Sequence, residues 1–461
     1  MIDEIEKLKE EEEIEKLIDL LQENEVQIRE EAVKALGMIG SKEALPHLIE
    51  RLKEDLAATV RANAALALSN FESKMCKSAL KEAAEDEDWE VRHDSAIAMG
   101  EFQDKELKEK LCSLIEDKEI EVRKKAIDSL GEIGDEEKIK EIEKYLDDDD
   151  LKKNATRAIS KIGTEKALEP LEEVYHDGDQ EMREIAVKGI GNIESEEISS
   201  VILDALKDDS WRIREEAAKI LGEKGDGKFV TPLVERLEDE NKYVVEAVLR
   251  GLAILDGDEA LKGIKEKMDD DEPSVRIAVA DALEIIDSVE STELLLNQLK
   301  EENNPRVLWS ISESLSNISK DNLQELENEI DLIVESKNIF VSVSMAKAGF
   351  SSYAEDLIPA LESERWKIRQ KAAEAFSNVK MAELSKRNRK KVISRLRDRL
   401  RDNDKWVRAR SVRTLGNILI ETDEEIDKEK IIEEILEMES IEVDEDVLEA
   451  VRDVKNLLEQ S

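Results

Sequence analysis

The residue types that most often carry out chemistry in proteins are few in this chain and lie far apart. Three histidines, His47, His93 and His176, and two cysteines, Cys76 and Cys112, could act as metal ligands or nucleophiles. No histidine lies within a few residues of another histidine or of a cysteine, so the spacing of a zinc site is missing. Two cysteines cannot build a disulfide framework, and we expect both to be free thiols packed among apolar side chains.

Two other segments have the composition of ligand-binding loops without their spacing. The acidic run Asp147–Asp150 lacks the alternating ligands, the glycine and the final glutamate of a calcium loop. The glycine-rich segment Gly222–Gly227 is not followed by the Lys-Ser/Thr pair of a phosphate loop. We predict that both are turns between helices. The sequence therefore predicts no enzyme, no catalytic, cofactor-binding or metal-binding residue, and no small-molecule substrate.

One charged segment stands apart from the rest of the chain. Residues 365–413 hold 18 basic and 5 acidic residues, although the whole chain has 70 Lys and Arg against 115 Asp and Glu, a net charge of −45. Val392, Ile393, Leu396 and Leu400 form an apolar stripe at helical spacing, which predicts a helix with its cations facing solvent. The candidate partner-binding residues are Lys386, Arg387, Arg389, Lys390, Lys391, Arg395, Arg397, Arg399, Arg401, Arg410 and Arg413.

The sequence leaves three interpretations of these cations open. They bind phosphates of nucleic acid or an acidic protein; they pair with acidic residues of this chain or of a second copy; or they form a solvated face without a partner. The nearby aromatic residues are only Trp366, Phe376 and Trp406. Because base stacking needs aromatic side chains, any contact with nucleic acid would be made mainly with phosphates.

The elements that position this segment follow from an internal repeat of about 31 residues. Each unit begins with a leading apolar residue followed by a base. Apolar or small residues lie 4, 7, 8 and 11 positions after the leading residue, which is the spacing of one face of an amphipathic helix. This helix is called helix B. A second amphipathic segment, helix A, precedes each helix B, and a small residue nine positions after the leading residue should let helices approach closely. The leading residues are Ile28, Val60, Val91, Val122, Leu151, Met182, Ile213, Val244, Val275, Val307, Ile368 and Val407, with a divergent copy near Phe340.

A pair of short helices cannot bury its apolar stripe alone, so neighbouring pairs must stack. We predict an all-α fold, a right-handed α-solenoid of about thirteen 31-residue helix pairs. The copies from Ile28-Arg29 to Gly40 and from Val122-Arg123 to Gly134 resemble the HEAT-repeat superfamily, in particular the short repeats of phycobilisome-lyase-like HEAT proteins. The resemblance covers residues 14–420 and implies the fold; no motif here supports the lyase activity. Some HEAT-like proteins are iron hydroxylases with paired His-Glu motifs, and this chain has no His-Glu dipeptide.

The repeat suggests four segments. Residues 1–13 form an acidic N-terminal segment, and residues 14–345 form acidic HEAT-like repeats. Residues 346–420 continue the repeats with a basic insertion, because the step from Ile368 to Val407 is about eight residues too long. Residues 421–461 are expected to be C-terminal capping helices.

Charge also repeats. A base follows the leading apolar residue in ten of twelve clear units, beginning with Arg29 and Arg61 and including Lys152, and an acid lies five positions before it in ten, including Asp55 and Asp177. We interpret this as a ladder of ion pairs that joins neighbouring units, with a stripe of arginines binding an acidic ligand as the alternative. The ladder should be interrupted in the region of residues 240–345, because Val245 and Leu308 replace the base there. Four tryptophans share one register near the start of helix B, which predicts packing at the turn or, alternatively, a binding edge: Trp89, Trp211, Trp366 and Trp406.

These features favour a non-enzymatic protein-interaction scaffold that presents an extended, mostly acidic surface with one basic patch. The alternative is a nucleic-acid-associated HEAT-repeat protein that contacts phosphates through residues 386–413. We expect protein partners, no cofactor and no membrane association, because no stretch of 18 apolar residues occurs. The acidic N-terminus lacks the pattern of a secretory signal, and we expect a cytoplasmic protein.

Overall fold

Every regular element in the described part of the chain is a helix. The computed structural model describes residues 2–102, 104–335, 339–421 and 427–460. These ranges contain the α-helices α1 (Ile2–Glu10), α2 (Ile14–Leu20), α3 (Val26–Ile39), α4 (Leu45–Glu54), α5 (Ala58–Leu68), α6 (Lys74–Ala83), α7 (Trp89–Gly100), α8 (Lys105–Leu114), α9 (Ile120–Ile133), α10 (Ile139–Glu143), α11 (Lys152–Ile162), α12 (Leu168–Asp177), α13 (Gln180–Gly191), α14 (Ile198–Ala205), α15 (Trp211–Lys224), α16 (Val230–Val234), α17 (Lys242–Leu255), α18 (Asp258–Glu266), α19 (Pro273–Ile286), α20 (Val289–Glu301), α21 (Pro305–Asn317), α22 (Lys320–Glu325), α23 (Glu327–Glu335), α24 (Ile339–Lys347), α25 (Ala354–Leu357), α26 (Trp366–Ala375), α27 (Lys386–Arg399), α28 (Lys405–Glu421), α29 (Lys428–Ile441) and α30 (Glu445–Gln460). Short 3-10 helices lie at Glu136–Lys138, Glu165–Ala167, Gly227–Phe229, Glu235–Glu238, Ser351–Tyr353, Pro359–Glu362 and Met381–Glu383.

The helices form two compact units, residues 1–220 and residues 221–461. Within the first unit, the successive B helices α3, α5, α7, α9, α11 and α13 pack side by side. Within the second unit, α17, α19, α21, α24, α26 and α28 do the same, and α30 packs against α28. The helices described from α2 to α28 make thirteen A–B pairs, counting α22 and α23 as one broken helix A. The predicted all-α solenoid class is therefore confirmed, and α24 is the divergent copy near Phe340.

The predicted apolar stripe explains why helix B lies where it does. In α3, Ile28, Ala32 and Leu36 share one face and are buried, which is the arrangement expected for residues three to four positions apart in a helix. The helix ends at Gly40, whose φ of 68° is the left-handed conformation that glycine adopts at little cost. Local sequence thus determines both the buried face and the end of this helix.

Small residues allow the B helices to touch. A β-carbon at Gly37 would lie 2.6 Å from the β-carbon of Ala67, and one at Gly131 would lie 2.6 Å from the α-carbon of Ala158. The prediction of close helix approach is confirmed at both positions. The predicted turn at Gly222–Gly227 is wrong at its first three residues, because α15 continues to Lys224. A side chain at position 222 would overlap Gly251 of the next helix B, which explains the glycine there.

The ion-pair ladder is confirmed, and it joins consecutive helix pairs. The guanidinium of Arg61 donates to Asp86 of the next pair at 2.8 Å and to the backbone carbonyl of Asp55 in its own turn at 2.9 Å. The Asp86 carboxylate also accepts a hydrogen bond from the backbone N–H of Asp88 at 2.9 Å, and this bond stabilises the turn. Equivalent pairs are Arg29–Asp55, Arg92–Asp117, Arg183–Asp208, Arg276–Glu302, Arg369–Asp402 and Arg408–Glu442.

One predicted position of the ladder does not form. Lys152 pairs with Asp149 at 2.9 Å in its own turn, and Asp177 of the next pair is exposed. A lysine ammonium lacks the planar fork with which arginine donates to both the carboxylate and the turn carbonyl. The leading residues Val122 and Leu151 are 29 positions apart, fewer than the usual 31. The acid that faces Arg123 is therefore Asp148, at 3.5 Å, which lies three positions before Leu151 instead of five.

Candidate partner-binding surface

The predicted basic helix is α27, which begins after Ser385. The Ser385 side chain accepts a hydrogen bond from the backbone N–H of Asn388 at 3.2 Å and so caps the helix. Val392, Ile393 and Leu396 are buried on its inner face. At fourteen residues α27 is longer than the ten-residue helix α4, as the inserted residues predict.

Within the described residues, at least five of the eleven candidate cations are paired with carboxylates of the same chain. Arg397 donates to both carboxylate oxygens of Glu434 in α29, with its Nε atom at 2.6 Å. This hydrogen bond raises the pKa of Arg397 and lowers that of Glu434. The other four pairs are Arg395–Glu362 at 2.7 Å, Arg399–Asp402 at 3.0 Å, Arg410–Glu374 at 4.0 Å and Arg413–Asp453 at 3.2 Å. For these five residues the structure favours the second of the three interpretations, in which the cations pair with acidic residues of the same chain.

The cations available to a partner lie mainly in the first half of α27. Arg387, Lys390 and Lys391 are exposed and form no hydrogen bond or ion pair with another described residue. Their spacing of three and four residues places them on one face of the helix. Arg389 instead donates to the backbone carbonyl of Leu384 at 3.2 Å, and Lys386 is exposed at the first position of α27.

A cleft continues this surface toward the end of α27. Its volume is about 550 Å³. The exposed side chain of Arg401 lines one wall together with Leu400. Met438 and Ile441 of α29 line the other wall, and Ile441 is 72% exposed. The cleft thus combines apolar side chains with charges of both signs, because its lining also contains Arg397, Arg408, Asp398, Asp402, Glu434, Glu437 and Glu442.

The sequence did not single out the residues that α29 contributes to this cleft. Met438, Ile441 and the Arg397 partner Glu434 fall in the segment predicted only to cap the array. The sequence pattern that could have drawn attention to them is the apolar pair Ile441 and Val443 on either side of Glu442. In the structure these two residues are 72% and 93% exposed. An exposed apolar residue beside a cleft is more informative than an exposed apolar residue elsewhere.

The other residues considered for chemistry have structural surroundings. Cys76 is buried in α6, Cys112 is half-buried in α8, both are free thiols, and burial raises the pKa of each. The Asp148 carboxylate accepts from the backbone N–H of Asp150 at 3.0 Å, so the acidic run is a turn as predicted. His93 contacts Asp94 through its Nδ1 atom at 2.8 Å. Within the described ranges, no three His, Cys, Asp or Glu side chains converge as a metal site would require.

The tryptophans occupy the first turns of B helices. Trp89, Trp211 and Trp366 are the first residues of α7, α15 and α26, and Trp406 is the second residue of α28. Trp89 and Trp406 remain 40% and 44% exposed. Part of each of these two side chains therefore packs at the turn, and the rest is exposed to solvent. The binding edge, which was the alternative role for the tryptophans, remains a prediction.

None of the helices in the described part of the chain is both long enough and apolar enough to span a bilayer.

A comparison with models of known protein families identifies the family to which these helix pairs belong. The family model described as HEAT repeats matches residues 1–69, 77–153, 168–253 and 230–316, well over half of the chain. The chain belongs to the HEAT-repeat family. The match ends before the basic helix α27, so the HEAT assignment there depends on the structure. No curated protein matches the sequence significantly.

Solved HEAT-repeat structures share the fold at low sequence identity. Kap121p bound to Pho4p aligns with 96% of this HEAT-repeat chain at 14% identity and a TM-score of 0.60, and the alignment covers 56% of Kap121p. Yeast importin-beta, Kap95p, aligns with 97% at 13% identity and a TM-score of 0.51, covering 72% of that protein. Human deoxyhypusine hydroxylase aligns with 54% of this chain and with 98% of its own length at 20% identity. Its TM-score is only 0.26, so the arrangement of helices in the two proteins cannot be compared.

Proposed function

We propose that this protein is a non-enzymatic scaffold that binds other proteins along its stacked helices, and that the basic face of α27 holds an acidic protein partner. The observation that carries the proposal is the set of exposed cations Arg387, Lys390 and Lys391, which have no partner among the described residues of a chain with net charge −45. Acidic side chains pair with the neighbouring arginines, whereas these three cations are exposed together on one face of one helix.

The cleft beside α27 supports a protein rather than a purely ionic ligand. An acidic side chain of a partner can meet Arg401, while an adjacent apolar side chain of the same partner packs on Leu400, Met438 and Ile441. Interfaces of this kind combine an apolar centre with charged surroundings. The neighbours with shared fold include proteins solved with protein partners, Kap121p with Pho4p and Kap95 with Nup1, which supports the same use of the fold here.

The proposal is tested with a fluorescein-labelled decaglutamate peptide and fluorescence anisotropy at low salt. The triple variant Arg387→Glu, Lys390→Glu, Lys391→Glu should bind at least tenfold more weakly than the unchanged protein, because three attractive contacts become repulsive. The matched control Lys42→Glu, Lys74→Glu, Lys207→Glu changes the net charge equally at three other exposed lysines and should bind normally. Equal loss in both variants would show only an effect of net charge.

The same titration distinguishes a nucleic-acid ligand. A 20-base-pair DNA duplex that binds tightly, with affinity falling steeply as salt rises, while decaglutamate does not bind, would favour the nucleic-acid-associated alternative. We propose the protein ligand because five of the eleven candidate cations are already bound to carboxylates. We also propose a cytoplasmic location, which suits two free thiols.

A further inference from the structure

The ion-pair ladder lacks its base at two positions of the second unit, Val245 and Leu308, and the first of these leaves an acid of the next pair without an arginine. Val245 of α17 stands where other B helices carry the arginine that reaches the acid of the next pair, and here that acid is Asp270. Asp270 still accepts from the backbone N–H of Glu272 at 3.0 Å, like the acids of complete pairs. Its ion-pair partner among the described residues is Lys267, at 3.6 Å. The Asp270 side chain is 24% exposed, against 1% for Asp55 in a complete pair.

The Asp270 carboxylate belongs to the lining of a cavity of about 570 Å³ between α18 and α20. Arg276 and Glu302 also line the cavity, but they are bound to each other at 2.6 Å. Lys265 contributes one exposed cation. The remaining charged residues of the lining are Asp269, Asp271 and Glu301, which are exposed and whose carboxylates form no hydrogen bond or ion pair within the described residues.

Gln298 of α20 gives this cavity an unsatisfied hydrogen-bond acceptor. The residue is 5% exposed and lines the cavity. Its Nε2 atom donates to the backbone carbonyl of Met268 at 3.3 Å. A carbonyl can only accept, so this contact fixes the orientation of the amide. The Oε1 atom is then buried without a donor among the described residues, and leaving such an atom unpaired is costly.

We propose that this cavity binds an arginine side chain of a basic protein partner, which donates to Gln298 Oε1 and to the Asp270 carboxylate and so gives Asp270 a guanidinium partner, as other acids of the ladder have. The proposal rests on the scaffold function and names the chemistry of one of its partners. A guanidinium has five donors in a rigid plane, enough for an amide oxygen and a carboxylate together. The cavity has room for a whole side chain, and its net negative charge favours a cation.

The test uses a fluorescein-labelled nonapeptide in which three arginines alternate with glycine and serine, compared with the same peptide carrying citrulline, a neutral analogue of arginine. We expect binding of the arginine peptide to weaken about tenfold in Gln298→Leu, because the buried acceptor is removed without a change in charge. Gln324→Leu, at an exposed glutamine of the same unit, should leave binding unchanged.

A second variant keeps the test decisive if Gln298→Leu folds poorly. Val245→Arg should weaken binding about tenfold, because an arginine in α17 pairs with Asp270 as Arg61 pairs with Asp86. Val245 is 4% exposed, and Arg61, at the equivalent position of another unit, is 9% exposed, so the repeat elsewhere holds a buried arginine at this position. The proposal is overturned if neither variant changes the affinity, if the citrulline peptide binds equally well, or if a crystal structure with the peptide shows only an ordered water at Gln298 Oε1. Those outcomes leave the decaglutamate test of α27 unaffected.

Discussion

Arginine rather than basic charge in general forms the ladder. The side chain of Arg92 donates to both oxygens of Asp117, with its Nε and Nη2 atoms at 2.7 and 2.9 Å, and a third donor reaches the backbone carbonyl of Asp86. Lys152 stands at an equivalent position and binds only within its own turn. A single side chain thus connects two helix pairs and a turn, which requires donors in more than one direction.

Replacing Arg92 with alanine should lower the free energy of unfolding by about 2–3 kcal/mol, because Asp117 is left nearly buried without its partner. Urea denaturation at pH 7 measures the change. Lys34→Ala, which breaks the exposed pair with Glu31, provides the control and should cost less than about 0.5 kcal/mol. Similar values for the two variants would mean that the ladder adds no more than a surface ion pair.

The ladder should also depend on pH. Burial raises the pKa of Asp117 more than any single neighbour lowers it, but the hydrogen bonds from Arg92 and from the backbone N–H of Glu119, together with the charges of Arg92 and Lys118, outweigh burial and leave the pKa below its usual value. A carboxylate whose pKa is lowered on folding stabilises the protein above its unfolded pKa of about 3.9, and this contribution is lost as the pH falls toward the folded value. The difference in unfolding free energy between the original protein and Arg92→Ala should therefore shrink from pH 5 to pH 3. A constant difference would show that Asp117 does not titrate with folding.

At the scale of helices, packing distance outweighs helix propensity. Alanine favours a helix over glycine by up to about 1 kcal/mol. Gly131→Ala should nevertheless destabilise the protein by about 1–3 kcal/mol, since the added β-carbon would lie 2.6 Å from the α-carbon of Ala158. Thermal unfolding followed by circular dichroism measures this. Gly227→Ala is the control, because a β-carbon there would meet no atom within 4 Å, and it should change stability little. An increase in stability for Gly131→Ala would contradict close packing of the B helices.

Sequence periodicity predicts helices better than it predicts their partners. The stripe of Val392, Ile393 and Leu396 was enough to place α27 and its inner face, because a helical period depends on the segment itself. The pairing of Arg397 with Glu434 was not predictable, because the two residues are 37 positions apart and no repeat unit relates them. The ladder pair Arg61–Asp86 was predictable because the same spacing recurs along the chain.

The same difference separates the two halves of the cavity near Asp270. The missing base was visible as Val245, since ten of the eleven other clear units carry a base at this position. Gln298 was not visible, because a glutamine in an amphipathic helix is ordinarily exposed. Only the packing of α20 buries its amide and leaves one oxygen without a donor. Departures from a repeat can therefore be found in the sequence, whereas unsatisfied polar atoms require the structure.

At the scale of the molecule, two electrostatic effects oppose each other as salt is added. Screening weakens the attraction in exposed ion pairs such as Lys34–Glu31, each worth at most about 1 kcal/mol. It also weakens the repulsion among 115 acidic residues that face only 70 basic ones. The ladder pairs are more buried, so salt screens them less. Repulsion over the whole surface should then dominate the response.

We therefore expect the melting temperature to rise with sodium chloride between about 0.01 M and 0.5 M, most steeply up to about 0.1 M, where the Debye length falls from about 30 Å to about 10 Å. Differential scanning calorimetry at pH 7 measures the shift. The variant Lys42→Glu, Lys74→Glu, Lys207→Glu tests whether repulsion is the cause. Its more negative charge should lower the melting temperature relative to the original protein at about 0.01 M sodium chloride, and most of this difference should disappear at about 0.5 M. A melting temperature that does not change with salt, or a variant whose deficit persists at high salt, would show that net charge does not limit the stability of these stacked helices.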